Sequence, residues 1–183
     1  AYHGKDERRI PPLILGHEIS GTIQEGINKG KKVVLNPLIT CGNCEYCKYE
    51  REHLCKSRLL LGMNRPIERQ GGFAELVSIP NKNIYELPEK LHMNKAPIAE
   101  PTAVALHAVE LGENSLKKKL NNSRALVIGG GAIGLLSALI LEKIKSCSEI
   151  FLSEPNKNRA AVCSNTLKSK CLKPNDPLLL ENS

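Results

Sequence analysis

The sequence predicts two joined domains: a mostly β domain carrying a cysteine lobe, then an incomplete α/β domain built on a doubly wound parallel sheet. Three observations carry that prediction. Short strand-like runs punctuated by glycines fill residues 10–40, four cysteines crowd into 41–55, and past residue 124 an apolar run, a glycine turn, a helical stretch and a second apolar run follow in order. Strand–helix–strand in that order is the repeating unit of a parallel sheet with crossover helices.

In chain order, Ile19 to Ile23 alternates weakly, Gly26 and Gly30 mark a turn, and Lys32 to Leu35 reads as a second strand. Residues 41–65 show little periodicity and are expected to form a loop. Strand character returns from Phe73 to Ile79 and from Ile84 to Leu87, with Pro80-Asn81 between. From about Ala96 to Leu111, Ala, Val and Leu recur at helical spacing around Pro101. Ala125-Leu126-Val127-Ile128 is continuously apolar, as expected of a strand buried on both faces. A helix from about Ala132 to Lys145, a strand over Ile150 to Ser153 and a third short strand over Lys170 to Leu172 complete the series. The boundary is placed near residue 120, giving domains 1–120 and 121–183. Two or three strands are too few for a whole nucleotide-binding sheet, so the second domain is expected to be truncated.

Composition narrows the function. With 41% hydrophobic residues in 183 a buried core is feasible, and with 3% aromatics and no Trp it must rest on aliphatic side chains. The net charge of +7 is scattered. Its densest run, Lys117 to Lys119, lies beside Asn121, Asn122 and Ser123 without stacking aromatics, which reads as a solvated loop and excludes a nucleic-acid surface. At most the charge helps attract an anionic cofactor. No stretch reaches the roughly 18 apolar residues of a membrane span. No signal peptide is visible, although the chain begins with Ala1 rather than Met. Seven cysteines, four of them clustered, fit a metal site in a reducing compartment better than disulfides, so a cytoplasmic protein is expected.

Cys41, Cys44, Cys47 and Cys55 follow C-x2-C-x2-C-x7-C. Thiolates two residues apart can turn their sulfurs toward one ion, and four complete the closed tetrahedron of a structural zinc. An iron–sulfur cluster is the rival, but the bacterial pattern has a last gap of three residues and a following Pro, where this chain has seven and Lys56. His53 in the lobe reads as a surface residue. Gly16-His17-Glu18-Ile19-Ser20-Gly21 sets an imidazole beside a carboxylate, delivered by an apolar run over 12–15. Glu100, before Pro101 at the start of a helical stretch, is either a favourable charge at the positive end of a helix or a metal ligand.

Gly129-Gly130-Gly131-Ala132-Ile133-Gly134 fits G-x-G-x-x-G directly after a strand and opening a helix, the context that gives the pattern meaning. Gly129 makes the turn, Gly131 lets the backbone approach a pyrophosphate, and Gly134 packs the helix on the strand. Glu154 ends the next strand, where an acid takes the adenosine ribose hydroxyls and favours NAD over NADP; Arg159 lies along the adenine or accepts a phosphate.

Together these residues resemble the zinc-containing medium-chain alcohol dehydrogenases, particularly the polyol (sorbitol-like) and threonine dehydrogenase branch. The matching segments are Gly16-His17-Glu18 with Gly21, the four cysteines, Gly71-Gly72-Phe73-Ala74-Glu75, Glu100-Pro101 with Ala103-Val104-Ala105 and His107, and the glycine turn. The resemblance implies a GroES-like β domain, a Rossmann domain and an active site in the cleft between them. It makes His17 a catalytic zinc ligand and Glu18 and Glu100 direct or alternating ones. It assigns the backbone at Ile133 and the side chains of Glu154 and Arg159 to NAD, and leaves His107 to packing. The implied reaction is hydride transfer from a secondary alcohol (a polyol, sugar acid, butanediol or threonine type) to NAD, in an assembly of two or four copies. The family's first zinc ligand, a cysteine, would precede Ala1, and His3-Gly4 resembles the His-Gly that follows it. The chain therefore reads as a fragment lacking both ends, inactive in isolation. The alternatives are a non-catalytic zinc- and nucleotide-binding product and a zinc-free quinone or enone reductase of the same superfamily.

Overall fold

The computed structural model describes residues 5–64, 66–168 and 170–180, and the side chains of 179 and 180 are outside the description. His3 and Gly4 lie outside the described residues. The chain divides into two compact units, Ala1–Glu100 and Pro101–Ser183. The division falls some twenty residues before the expected boundary near 120, because the helix between them packs with the second unit: its Ala105 is fully buried with Leu136 and Ile140.

In the first unit, β1 (Ser20–Thr22), β2 (Lys32–Leu35) and β5 (Ile84–Glu86) form an antiparallel sheet in the order β1-β2-β5. Val34 is the central register position, opposite Ser20 on one side and Tyr85 on the other. The period-2 pattern of β2 sends Val33 and Leu35 into the core. A second pair, β3 (Leu38–Ile39) and β4 (Leu59–Leu60), runs antiparallel with Leu38 opposite Leu60. These two strands close the neck of the loop that carries the cysteines. Inside that loop lie a one-turn helix, α1 (Glu45–Lys48), and a 3-10 turn, Glu52–Leu54.

Residues 73–79 do not form the expected strand. Gly71, Gly72 and Phe73 donate N–H bonds to the carbonyls of Ile14, Gly16 and Leu15, at 2.7, 2.8 and 2.9 Å. Beyond Phe73 the pairing stops, and Phe73 and Leu76 are 80% and 73% exposed. The β-prone residues there have no partner ladder among the described residues, and propensity alone does not make a strand.

The second unit begins within α2 (Ala99–Leu116) and continues through β6 (Arg124–Ile128), α3 (Ala132–Lys143), β7 (Glu149–Ser153), α4 (Lys157–Thr166), β8 (Lys170–Leu172) and α5 (Pro177–Leu180). The sheet is parallel in the order β6-β7-β8. Its core gathers Val127, Ala138, Leu141, Ile150, Leu152, Cys163 and Leu167. The strand buried on both faces is β7, in which Ile150 through Ser153 are all buried, and not β6, where Leu126 and Ile128 are 50% and 83% exposed around buried Val127. Successive side chains of β6 alternate between faces, so Ala125 and Val127 pack against the core while Leu126 and Ile128 lie on the face left bare. His107 is exposed rather than packed: it lies two residues past buried Ala105, on the other side of α2. Among the described residues no helix is long and apolar enough to cross a membrane.

Candidate metal centres and cofactor turn

Among the described residues, two groups of side chains in the first unit could hold a metal ion. The lobe group is Cys41, Cys44, Cys47 and Cys55. Sulfur separations are 3.9 Å for Cys41–Cys47, 3.6 Å for Cys44–Cys47 and 3.5 Å for Cys41–Cys55. Four sulfurs around a tetrahedral zinc, each at ~2.3 Å, stand about 3.8 Å from one another. The spacing therefore suits a shared ion and is far too long for disulfides, and all seven cysteines are free.

The lobe's backbone already faces its sulfurs. The Cys44 N–H donates to Cys41 Sγ and the Cys41 N–H donates to Cys55 Sγ, both at 3.4 Å. N–H groups of Asn43 and Cys44 draw the Cys41 thiol down to about 6, and the Cys47 N–H lowers Cys44. Burial pushes Cys47 the other way, up to about 12. A cation would release that proton and bring all four sulfurs to the thiolate form. His53 is exposed, and the four sulfurs supply a full tetrahedral set without it.

The second group is His17, Glu18 and Glu100, whose ligand atoms all lie within 4.8 Å of one another. His17 and Glu18 follow Gly16, which takes φ +100°; a Cβ there would stand 2.9 Å from the Phe73 ring. Only glycine fits both the left-handed backbone and that contact. The Ser20 hydroxyl donates to the Met93 carbonyl at 2.8 Å, tying the histidine segment to the chain that leads into Glu100. His17 and Glu100 are half-buried and Glu18 exposed. Burial raises the Glu100 carboxyl above its ordinary range, partly offset by His17 and reinforced by Glu18. An imidazole with two carboxylates is a nitrogen–oxygen donor set of the kind used by metals that keep an open position for substrate.

In the second unit the glycine turn has the expected shape. Gly129 takes φ +98° and donates its N–H to the Ser153 carbonyl at 2.8 Å. A Cβ on Gly134 would stand 1.8 Å from the Gly129 carbonyl oxygen, so any side chain there forces turn and helix apart. Gly131 caps α3 without a side-chain hydrogen bond, which leaves the first helical N–H groups around Ile133 for an anion.

Glu154 is placed differently from the expected open ribose acceptor. Its side chain is 1% exposed. Oε2 accepts from the Gly130 N–H (2.8 Å) and Arg159 Nε (3.0 Å), and Oε1 accepts from the Asn156 N–H (2.7 Å) and Arg159 Nη2 (2.9 Å). The Arg159 guanidinium, followed by the Asn156 and Gly130 N–H groups, holds this carboxyl down at about 2. Glu154 thus clamps the glycine turn to the start of α4 and holds Arg159 half-exposed beside it. No sequence signal had suggested that clamp. One signal could have located α4: Asn156, whose side chain accepts from the Asn158 and Arg159 N–H groups, is a strong N-cap residue.

Comparison with known proteins reports the same relationship from several sides. Residues 1–89 match the alcohol dehydrogenase GroES-like domain. The chain is 32% identical to 2-dehydro-3-deoxy-L-galactonate 5-dehydrogenase of Pseudoalteromonas atlantica, over 86% of this chain and 45% of that protein. It is also 32% identical to L-threonine 3-dehydrogenase of Rhizobium rhizogenes, over 85% and 44%. Among solved structures it superposes with a TM-score of 0.79 on a candidate zinc-binding dehydrogenase of Sinorhizobium meliloti bound to NADP, at 31% identity, covering 94% of this chain and 49% of that one. The chain spans about half the length of the curated relatives it matches.

Proposed function

We propose that the protein, whose residues 1–89 match the alcohol dehydrogenase GroES-like domain and whose relatives include sugar-acid and threonine dehydrogenases, transfers a hydride from a small secondary alcohol to NAD. The observation that carries the proposal is the convergence of His17, Glu18 and Glu100 within 4.8 Å, in the same unit as a separate four-cysteine cluster. Two donor sets of different chemistry divide the labour: a nitrogen–oxygen set for reaction and an all-sulfur set for structure. A zinc-free reductase would have use for neither.

His17 would hold the ion through its imidazole, and Glu18 and Glu100 would supply carboxylate oxygens, directly or in alternation. Bound zinc supplies Lewis-acid polarisation of the alcohol oxygen. The 129–134 turn holds the dinucleotide's pyrophosphate at the start of α3, through the N–H groups near Ile133. Arg159, held half-exposed by the buried Glu154, would face the adenosine end. We take the substrate to be of polyol, sugar-acid, butanediol or threonine type, and the protein to be cytoplasmic and to assemble as two or four copies.

The test is NADH formation by the zinc-loaded full-length protein across a panel of polyols, sugar acids, butanediols and threonine, run in parallel with NADP. Turnover with at least one secondary alcohol, reduced about 100-fold by His17→Ala, is the expected result. Turnover undiminished by His17→Ala defeats the assignment of the triad, and a preference for NADP reassigns Arg159 to a phosphate. A protein that binds zinc and nucleotide without turning over any alcohol supports the non-catalytic alternative instead.

A further inference from the structure

Outside the cysteine lobe, on the 3-10 turn Asn81–Asn83, Lys82 reaches back to the residue that precedes the first cysteine. Its Nζ donates to the Thr40 carbonyl at 2.7 Å and to Thr40 Oγ1 at 3.2 Å. Thr40 is buried, and its hydroxyl in turn donates to Glu52 Oε1 at 3.0 Å. The carbonyl that Lys82 grips belongs to the same peptide unit as the Cys41 N–H, and that N–H donates to Cys55 Sγ. Cys55 is the one fully buried sulfur of the four, with no water to solvate a negative charge.

We infer that Lys82 is a positioning residue for the lobe's zinc, transmitting its charge through the Thr40–Cys41 peptide to the buried Cys55 sulfur. The inference rests on reading the four cysteines as a zinc site. Four thiolates on a dication leave two surplus negative charges, and the local dielectric is low around Cys55. An ammonium on the carbonyl end of a peptide polarises it, so that its N–H becomes a stronger donor to the thiolate; chained hydrogen bonds strengthen one another in this way. Lys56, also beside the lobe, is pinned to the Glu45 carboxylate at 2.9 Å and its charge is offset there. Lys82 instead spends its donors on Thr40. It comes from a segment outside the cysteine loop that is anchored at the loop's neck, since Asn83 Nδ2 donates to the carbonyls of Asn36 and Leu38 at 2.8 Å each. Groups of this kind around a metal's ligands set how firmly the metal is held.

The experiment follows zinc release from the zinc-loaded protein into excess chelator. It compares the parent, Lys82→Met and Lys82→Arg, and records the melting of each metal-free form. Lys82→Met is expected to release the lobe's zinc about 10-fold faster, with Lys82→Arg close to the parent. The metal-free forms are expected to melt alike. In the cobalt-substituted protein the sulfur-to-metal charge-transfer band should shift for Lys82→Met alone. Equal release by parent and Lys82→Met overturns the inference. So does a Lys82→Met protein whose metal-free form is destabilised in proportion, because the lysine would then only support the fold. A parent that takes up no zinc on Cys41, Cys44, Cys47 and Cys55 removes the underlying zinc reading, a failure distinct from the other two.

Discussion

The two metal-ligating groups share a domain, yet they are assembled in opposite ways. All four lobe cysteines fall within 41–55, in a loop pinched at its neck by the Leu38–Leu60 and Ile39–Leu59 pairs. The N–H groups that face the sulfurs come from the same loop. His17 and Glu18, by contrast, meet Glu100 only because the chain from 14 to 20 is held by distant segments: Gly71 to Phe73 on one side and Met93 on the other. A cluster built from local spacing carries its geometry with it, whereas one built by topology depends on every tie that brings its parts together.

The largest effect is expected from Cys55→Ser. It removes a fully buried sulfur and with it the closed tetrahedron. Loss of a structural metal belongs to the small class of changes that cost on the order of 4 kcal/mol. Thermal melting and zinc analysis should show a marked loss of stability and of the lobe's zinc, while the triad keeps its metal. Loss of both metals would contradict the independence argued here. The complementary variant is His17→Ala, for which turnover should fall about 100-fold, roughly 2.7 kcal/mol of transition-state stabilisation, with little change in melting. A large fall in melting temperature would mean that the triad is structural after all.

The same contrast explains what could be read in advance. The spacing of Cys41, Cys44, Cys47 and Cys55 encodes its own site, and the 129–134 turn announces itself because strand, glycines and helix are contiguous. β2 and β8 also fall on the expected segments, Lys32–Leu35 and Lys170–Leu172. What escaped depends on partners. Phe73 to Ile79 has strand residues without a strand to pair with, and the apolar run of β6 alternates between a packed face and a bare one. Glu154 was legible as an acid at a strand end. Its capture by Arg159 and by the Gly130 and Asn156 N–H groups was not, because α4 carries no apolar stripe from which its position could be read. Lys82 escaped for the same reason, since its partner lies far away in the sequence at Thr40.

Acid should separate the clusters next. The Cys47 thiol is held up at about 12, so zinc must displace its proton throughout the ordinary range, whereas Cys41, drawn down to about 6, has a proton to give up to zinc only below that value. Ligands bind as thiolates, so the sign is fixed: lobe affinity falls as pH falls, and falls more steeply below about 6. Competition with a chelator across pH measures the slope directly. A slope that stays constant through 6 would mean that Cys41 is not among the ligands.

The smallest effect tests the topological half of the contrast most sharply. Ser20 contributes one exposed hydrogen bond, to the Met93 carbonyl. Ser20→Ala should cost only about 0.5–1 kcal/mol of stability, the ordinary worth of such a bond. Ser20 ligates nothing itself, but it spans the two segments whose meeting creates the triad. Loosening them should therefore weaken metal at His17, Glu18 and Glu100 by a few-fold, which is what ~1 kcal/mol amounts to in an equilibrium constant. Zinc in the lobe should not respond, because no lobe contact passes through Ser20. Site-resolved cobalt spectra distinguish the outcomes, since thiolate and imidazole–carboxylate sites absorb differently. If both sites weaken together, the domain moves as one unit and the distinction between a local and an assembled centre collapses; if only the triad responds, its geometry is held by the fold at large.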